Sequence, residues 1–198
     1  MVSVALVNLS NDAPEATGAS AVRPSLADAW RVISEVADPE IPSVSIIELG
    51  ILRGVRWDVD DPESLVVTVT PTYSGCPATE MIAASIRSAL TTAGFDLLRI
   101  ETSLAPAWTT DWITPEGRRK LRDFGIAPPD GAKAVTSTGA VAIDVAGISP
   151  LRRSTAAIAC PRCTSKRTEL LSQFGSAACK AHYRCLDCLE PFDYFKPH

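Results

Sequence analysis

The chain has 198 residues, six cysteines, two histidines and a formal net charge of −4. That length suits one main domain plus a small appendage, and no run approaches the roughly 18 apolar residues of a membrane-spanning helix. The acidic balance, with only six Lys/Arg against four Asp/Glu in residues 160–198, argues against a surface built to hold nucleic-acid phosphates.

Residues 1–24 are rich in Ala, Ser, Thr, Pro and Asn and read as a flexible arm. Their apolar start lacks a basic region, so no secretory leader is expected and the cytoplasm is the expected compartment. Ser25 and Asp28 form a capping pair at the start of a helix, with Asp in place of the usual Glu. Leu26, Ala29, Trp30, Ile33, Val36 and Ala37 make its apolar stripe. Asp38-Pro39-Glu40-Ile41-Pro42 forbids continuation of that helix, since two prolines lie in four positions. The carboxylates of Asp38 and Glu40 can cap backbone N–H groups or meet a metal. Residues 43–49 are expected to cross the surface as a short turn or helix.

The run from Ile51 to Val59, alternating from Val55 onward, predicts a strand, and 60–64 a turn. The β-branched run 65–70 predicts the returning antiparallel strand. It leads into Pro71-Thr72-Tyr73-Ser74-Gly75-Cys76-Pro77. Met81, Ile82, Ile86, Ala89 and Leu90 then recur at helical spacing, with Gly94 as the stop. Cys76 therefore falls at or beside a helix start, where backbone N–H groups favour a thiolate. The alternative is a small buried hydrophobe that closes the turn. Residues 95–104 predict a third strand, parallel to the second. The expected fold is α+β: a small mixed three-stranded sheet with packed helices, spanning residues 25–130.

Trp108 and Trp112 lie four apart among threonines and Asp111. They either fill and cover the core or frame a partner surface. Thr114 and Pro115 predict another helix start, and Gly125 its end. Residues 131–159 read as a linker, with Val141 to Val145 as a candidate added strand. The hydrophobic periods of the first domain look complete without the tail.

Cys160-Pro161-Arg162-Cys163 and Cys185-Leu186-Asp187-Cys188 are the strongest chemical signal in the chain. Each pair can wrap two thiolates around one metal, and a hairpin can bring the pairs together. Four sulfurs suit zinc and leave no open position. They also suit iron or an iron–sulfur cluster. Residues 160–198 thus predict a zinc-ribbon-like module whose small core depends on its metal. Cys179 is a fifth tail cysteine, read as buried, as an additional metal or redox group, or as a replacement ligand. His182 and His198 read as surface or packing residues.

The Asp38-to-Pro42 stretch, the Glu48-Leu49-Gly50 step and Thr68 to Pro77 resemble the small domain of SufT-like iron–sulfur cluster assembly proteins. Pro106-Ala107-Trp108-Thr109-Thr110-Asp111-Trp112, Phe174-Gly175-Ser176 with Cys179-Lys180-Ala181, the four paired cysteines and Phe192-Asp193-Tyr194-Phe195-Lys196 narrow the match. From about residue 26 the chain resembles the PaaD family of the phenylacetyl-CoA ring-1,2-epoxidase system. Ala177 stands where that family often has Thr. The resemblance implies a non-catalytic accessory protein of aerobic phenylacetate breakdown that aids maturation or assembly of iron or iron–sulfur centres. Its partners would be the oxygenase or reductase components, and a homo-oligomer is compatible. The other reading is a structural or electron-transfer subunit bound to the epoxidase. An independent enzyme with a Cys76 nucleophile fits poorly, because neither histidine lies near the motif in sequence. The chain also lacks the paired Glu and Glu-x-x-His helices of a diiron bundle and a dinucleotide glycine fingerprint.

Overall fold

A computed structural model describes residues 23–129 and 158–197. The proposed arm up to residue 22, most of the proposed linker and the candidate strand at Val141 to Val145 lie outside the described residues.

The first unit is built on a three-stranded sheet in the order β1-β2-β3: β1 (Leu52–Trp57), β2 (Leu65–Val69) and β3 (Leu98–Thr102). β1 and β2 are antiparallel; β2 and β3 are parallel. β2 is central, and its Leu65, Val66 and Val67 are fully buried, so it reads as a continuous apolar run rather than an alternating one. Helices α1 (Leu26–Ser34) and α2 (Ala78–Thr92) put Ala29, Ile33, Ile82, Ile86 and Leu90 into the same core. Each fully buried aliphatic side chain contributes roughly 1.5–3 kcal/mol. The Ser25–Asp28 capping box is complete, so Asp does serve in the Glu position.

Residues 43–49 depart from expectation. They do not cross the surface: Val44 and Ile46 are fully buried and Leu49 nearly so. The segment is a plug of turns, closed by Ser45 and Glu48 exchanging side-chain-to-backbone hydrogen bonds. Its apolar residues follow no regular period, which left it unreadable as core. Gly50 comes next at φ +70°, and a Cβ there would lie 2.5 Å from the Cβ of Trp112. Helix α3 (Pro115–Phe124) docks behind this plug. Gly117 admits the Glu48 carbonyl, which a Cβ would meet at 2.7 Å. Thr114 caps α3 and Gly125 ends it in the left-handed conformation.

The second unit is a four-stranded sheet in the order β4-β7-β6-β5. Its strands are β4 (Ile126–Ala127), β5 (Thr168–Ser172), β6 (Lys180–Cys185) and β7 (Pro191–Phe195). β4 was not foreseen. It comes directly after α3 and pairs parallel with β7, so the first unit lends an edge strand to the second sheet. Tyr183 stacks on Phe192 at 5.9 Å in the small core of this unit.

The two units share packing. Phe195 and Cys179, both tail residues, belong to the first core. The Phe195 ring lies 5.9 Å from that of Trp108. The first core is therefore not complete without the tail, contrary to the reading of its periods. Periodicity reports that a face is apolar, not which segment covers it.

Candidate functional site

The strand β6 connects two clusters of thiols. At its C-terminal end lie Cys160, Cys163, Cys185 and Cys188, with their sulfurs all within 4.8 Å of one another. A tetrahedron with metal–sulfur bonds of about 2.3 Å has sulfur–sulfur edges of about 3.8 Å. The Cys160–Cys188 and Cys163–Cys185 distances are 3.7 and 3.5 Å, so the four fit one zinc ion. Cys160 and Cys185 are buried, while Cys163 and Cys188 are exposed. The Cys188 N–H points at the Cys185 sulfur, and this bond lowers the Cys185 thiol to about 7. Ser165 and Arg167 both bond Asp187, fixing the second CxxC loop against the first. Zinc held here would close the ribbon through four thiolates and leave no position for a substrate.

At the other end of β6, about 20 Å away at 3.3 Å per residue, Cys179 enters a cleft in the first unit. Cys76, Asp38, Glu40, Thr72 and Thr79 line the same cleft, over a floor that includes Leu49, Ile51, Val69, Ile82 and Phe195. Its cavity is about 20 Å³, room for one water-sized occupant.

Cys76 is half-buried and precedes α2 by two residues. The helix begins at Ala78 with Pro77 as its cap residue, one position later than the sequence suggested. The Cys76 N–H bonds the Tyr73 carbonyl at 3.1 Å. Burial raises the Tyr73 hydroxyl above its usual range, and nearby Cys76 and Cys179 add to the effect.

Asp38 is buried, and one carboxylate oxygen accepts from the N–H groups of Glu40 and Ile41, each at 2.9 Å. This is the capping role. It fixes the Pro39–Glu40 turn and with it the position of Glu40. Burial raises the Asp38 carboxyl above the ordinary carboxylate range, against those two hydrogen bonds and the attraction of Lys180. Burial also raises Glu40, again opposed by Lys180. Cys179 is pushed up to about 12, first by burial and then by Glu40.

Lys180 was missed at the sequence level. It is 3% exposed, and its ammonium lies 3.8 Å from Asp193 while acting on Asp38, Glu40 and Cys179. Nearly complete burial of a lysine is unusual without charged neighbours. The only sequence signal was its adjacency to Cys179.

Trp108 is 4% exposed, donates its indole N–H to the Leu49 carbonyl at 2.9 Å and stacks near Phe195. It has little surface left for a partner. Trp112 is half-buried, with the Arg53 guanidinium 3.5 Å over its ring. His182 bonds Asp193 at 3.1 Å, away from the four sulfurs.

Residues 26–94 match the family described as iron–sulfur cluster assembly protein, and residues 147–196 match the PaaD zinc beta ribbon domain. A protein of Escherichia coli strain K12, named as a putative 1,2-phenylacetyl-CoA epoxidase D-subunit, is 46% identical over 173 residues, covering 87% of this chain and 93% of that protein. An Fe-S protein maturation auxiliary factor of Porphyromonas gingivalis is 32% identical over 95 residues, covering 48% of this chain and 88% of that one. A solved domain of unknown function from Bacillus anthracis is 24% identical, covering 48% of this chain and 89% of that one, with a TM-score of 0.43. With nearly the full length of the E. coli relative matched and both of its parts recognised, the chain belongs to the PaaD family.

Proposed function

We propose that this protein is a non-catalytic accessory factor of the phenylacetyl-CoA ring-1,2-epoxidase system, acting in the cytoplasm on the iron or iron–sulfur centres of the oxygenase or reductase component. Cys76, Asp38 and Glu40 would form the receiving end for the metal, and the four paired tail cysteines would hold structural zinc. The observation that carries this reading is the cleft: a half-open thiol beside two carboxylates, in the part of the chain that matches iron–sulfur cluster assembly proteins. A metal cargo arriving at the cleft would meet one thiol and two carboxylates, groups that all accept a cation. Among the described residues no helix is long and apolar enough to cross a membrane, which agrees with this placement.

The test is made in cells that produce the epoxidase with either the wild-type protein or Cys76→Ser, with equal soluble amounts verified. The epoxidase should gain less metal and show less activity with the variant. Turnover of already mature enzyme should not change. Equal metal loading and activity would reject the role and return Cys76 to packing.

The second reading, a structural or electron-transfer subunit, draws on the name of the E. coli relative, which calls it a subunit. A cluster at the four tail cysteines and stable co-purification with the oxygenase would favour it. Anaerobic purification followed by metal and sulfide analysis separates the two.

A further inference from the structure

Among the described residues each sheet has two edges, and an edge strand offers unpaired N–H and C=O groups to any other strand. Three of the four edges are blunted. β1 carries a bulge between Leu52 and Gly54, and β5 one between Leu170 and Ser172. β4 has only two residues. β3 differs. Its five residues pair with β2 in unbroken register, and no described strand lies on its other side.

The open side of β3 presents defined groups. The Leu97 carbonyl accepts from Leu65 and the Ser103 N–H donates to Val69, so odd-numbered residues turn their backbone groups to β2. Leu98, Ile100 and Thr102 therefore turn theirs outward. Arg87 reaches the Leu98 carbonyl at 3.3 Å, and a carbonyl can accept a second bond. Leu98 and Ile100 pack their side chains against the core, which leaves Arg99 and Glu101 on the solvent face. These two are 2.9 Å apart, and they also meet Asp58 and Arg56. Leu97 and Leu104, just beyond the two ends of β3, are each more than half exposed.

We propose that β3 pairs antiparallel with β3 of a second copy of this chain, joining the two three-stranded sheets about a two-fold axis at Ile100. Symmetry sets the register: Ile100 faces itself, Arg99 faces Glu101 and Leu98 faces Thr102. This register meets three separate requirements. The outward groups of Leu98, Ile100 and Thr102 become the hydrogen-bonded pairs. Arg99 and Glu101 fall at the non-hydrogen-bonded pairs, where side chains come closest, and opposite charges meet at both of them. Leu97 of one copy falls opposite Ser103 of the other, next to its exposed Leu104, so both leucines lose water. A foreign strand could match the backbone groups, but the order of charges on β3 is complementary to itself. Thr102 also lines the hollow onto which Cys76 opens, so the second copy stands at the rim of that hollow. The pairing does not depend on the maturation role.

The test uses the full chain, reduced and with zinc in the ribbon. Sedimentation velocity over a concentration series reads its mass. The expected result is reversible dimerisation from 21.1 kDa to twice that mass. Amide exchange at Leu98, Ile100 and Thr102 should slow with rising concentration, more than at Arg99 and Glu101, whose amides already bond β2. Arg99→Glu sets acid against acid at the facing pairs, and Glu101→Arg sets base against base. Each variant alone should dimerise at least about tenfold more weakly. An equal mixture of the two should recover strong pairing, because each chain then faces the opposite charge at both positions. Zinc content and circular dichroism verify that both variants are folded.

A wild type that stays monomeric at its highest soluble concentration overturns the proposal. So does a dimer that both variants leave unchanged, or a mixture no stronger than the single variants. Exchange in the wild type decides the matter without any substitution: a dimer with no added protection in β3 is made through another face. Protection that appears in β3 only when the epoxidase components are added would give this edge to a client strand and reject the second copy.

Discussion

The two thiol sites at the ends of β6 differ in how they are made. The four-cysteine site is assembled from two CxxC loops of one unit, and four like ligands surround one point. The cleft is assembled from a strand-to-helix turn, a proline-bounded turn and a tail turn that enters β6, and it mixes thiols with carboxylates. The first arrangement satisfies a metal completely and retains it. The second leaves the Cys76 thiol half-buried beside two carboxylates.

The comparison also predicts an asymmetry: damage at the ribbon should reach the cleft, whereas damage at the cleft should stop there. The largest effect is expected from Cys185→Ser. Zinc content should fall from one per chain to near zero, and the second core should loosen, since Cys185 and Cys160 are part of it. Amide exchange should then rise in β6 and β7, and Cys179 should become open to alkylation because β6 carries it. A zinc-free variant with Cys179 still protected would break the link between the sites.

Phe195→Ala tests the seam directly. Phe195 is 1% exposed and rests on Trp108. Truncation should cost about 3–5 kcal/mol by denaturant unfolding. Trp108 fluorescence should change with it, although zinc remains bound. A loss confined to the tail, with the first unit as stable as before, would show that the two cores are separate.

A smaller effect separates the acidic wall of the cleft from the thiols. The folded Asp38 carboxyl is raised, so the folded chain keeps its proton to higher pH than the unfolded chain does. The stability that this group contributes is full below its unfolded pKa and is lost as pH rises through the raised folded value. Asp38→Asn keeps an oxygen for the Glu40 and Ile41 N–H groups and removes that charge. Urea unfolding at several pH values upward from the ordinary carboxylate pKa of about 3.9 should show a flatter decline in the variant. An unchanged slope would assign the effect to Glu40 alone.

The smallest change is expected for Cys76→Ser. Cys76 is half-buried at the mouth of the cleft, so stability should stay within about 1 kcal/mol of wild type. Zinc should remain stoichiometric by elemental analysis. Zinc loss in this variant would erase the asymmetry from the other side.

Much of this molecule was legible in the residues themselves. The Ser25–Asp28 cap, the Thr114-Pro115 helix start, the Gly125 stop and the three strands of the first sheet come from local chemistry acting over a few positions. So does the four-cysteine site, because a CxxC spacing brings its two sulfurs together without help from the rest of the fold. Cys76, Asp38 and Glu40 were each visible as chemistry, but nothing in their spacing could say that they share a cleft.

Tertiary structure alone decided the rest. It turned residues 43–49 inward as a plug, gave Ile126–Ala127 to the second sheet and placed Phe195 under Trp108. It also brought Cys179 into the cleft that Cys76 lines. Periodicity declares which face of a segment must be covered, and short motifs declare which atoms a few neighbouring residues can present. Neither carries information about which distant segment arrives, because that choice is made by the summed packing of two units. The closed metal site is therefore a property of the local sequence, and the open cleft is a property of the fold.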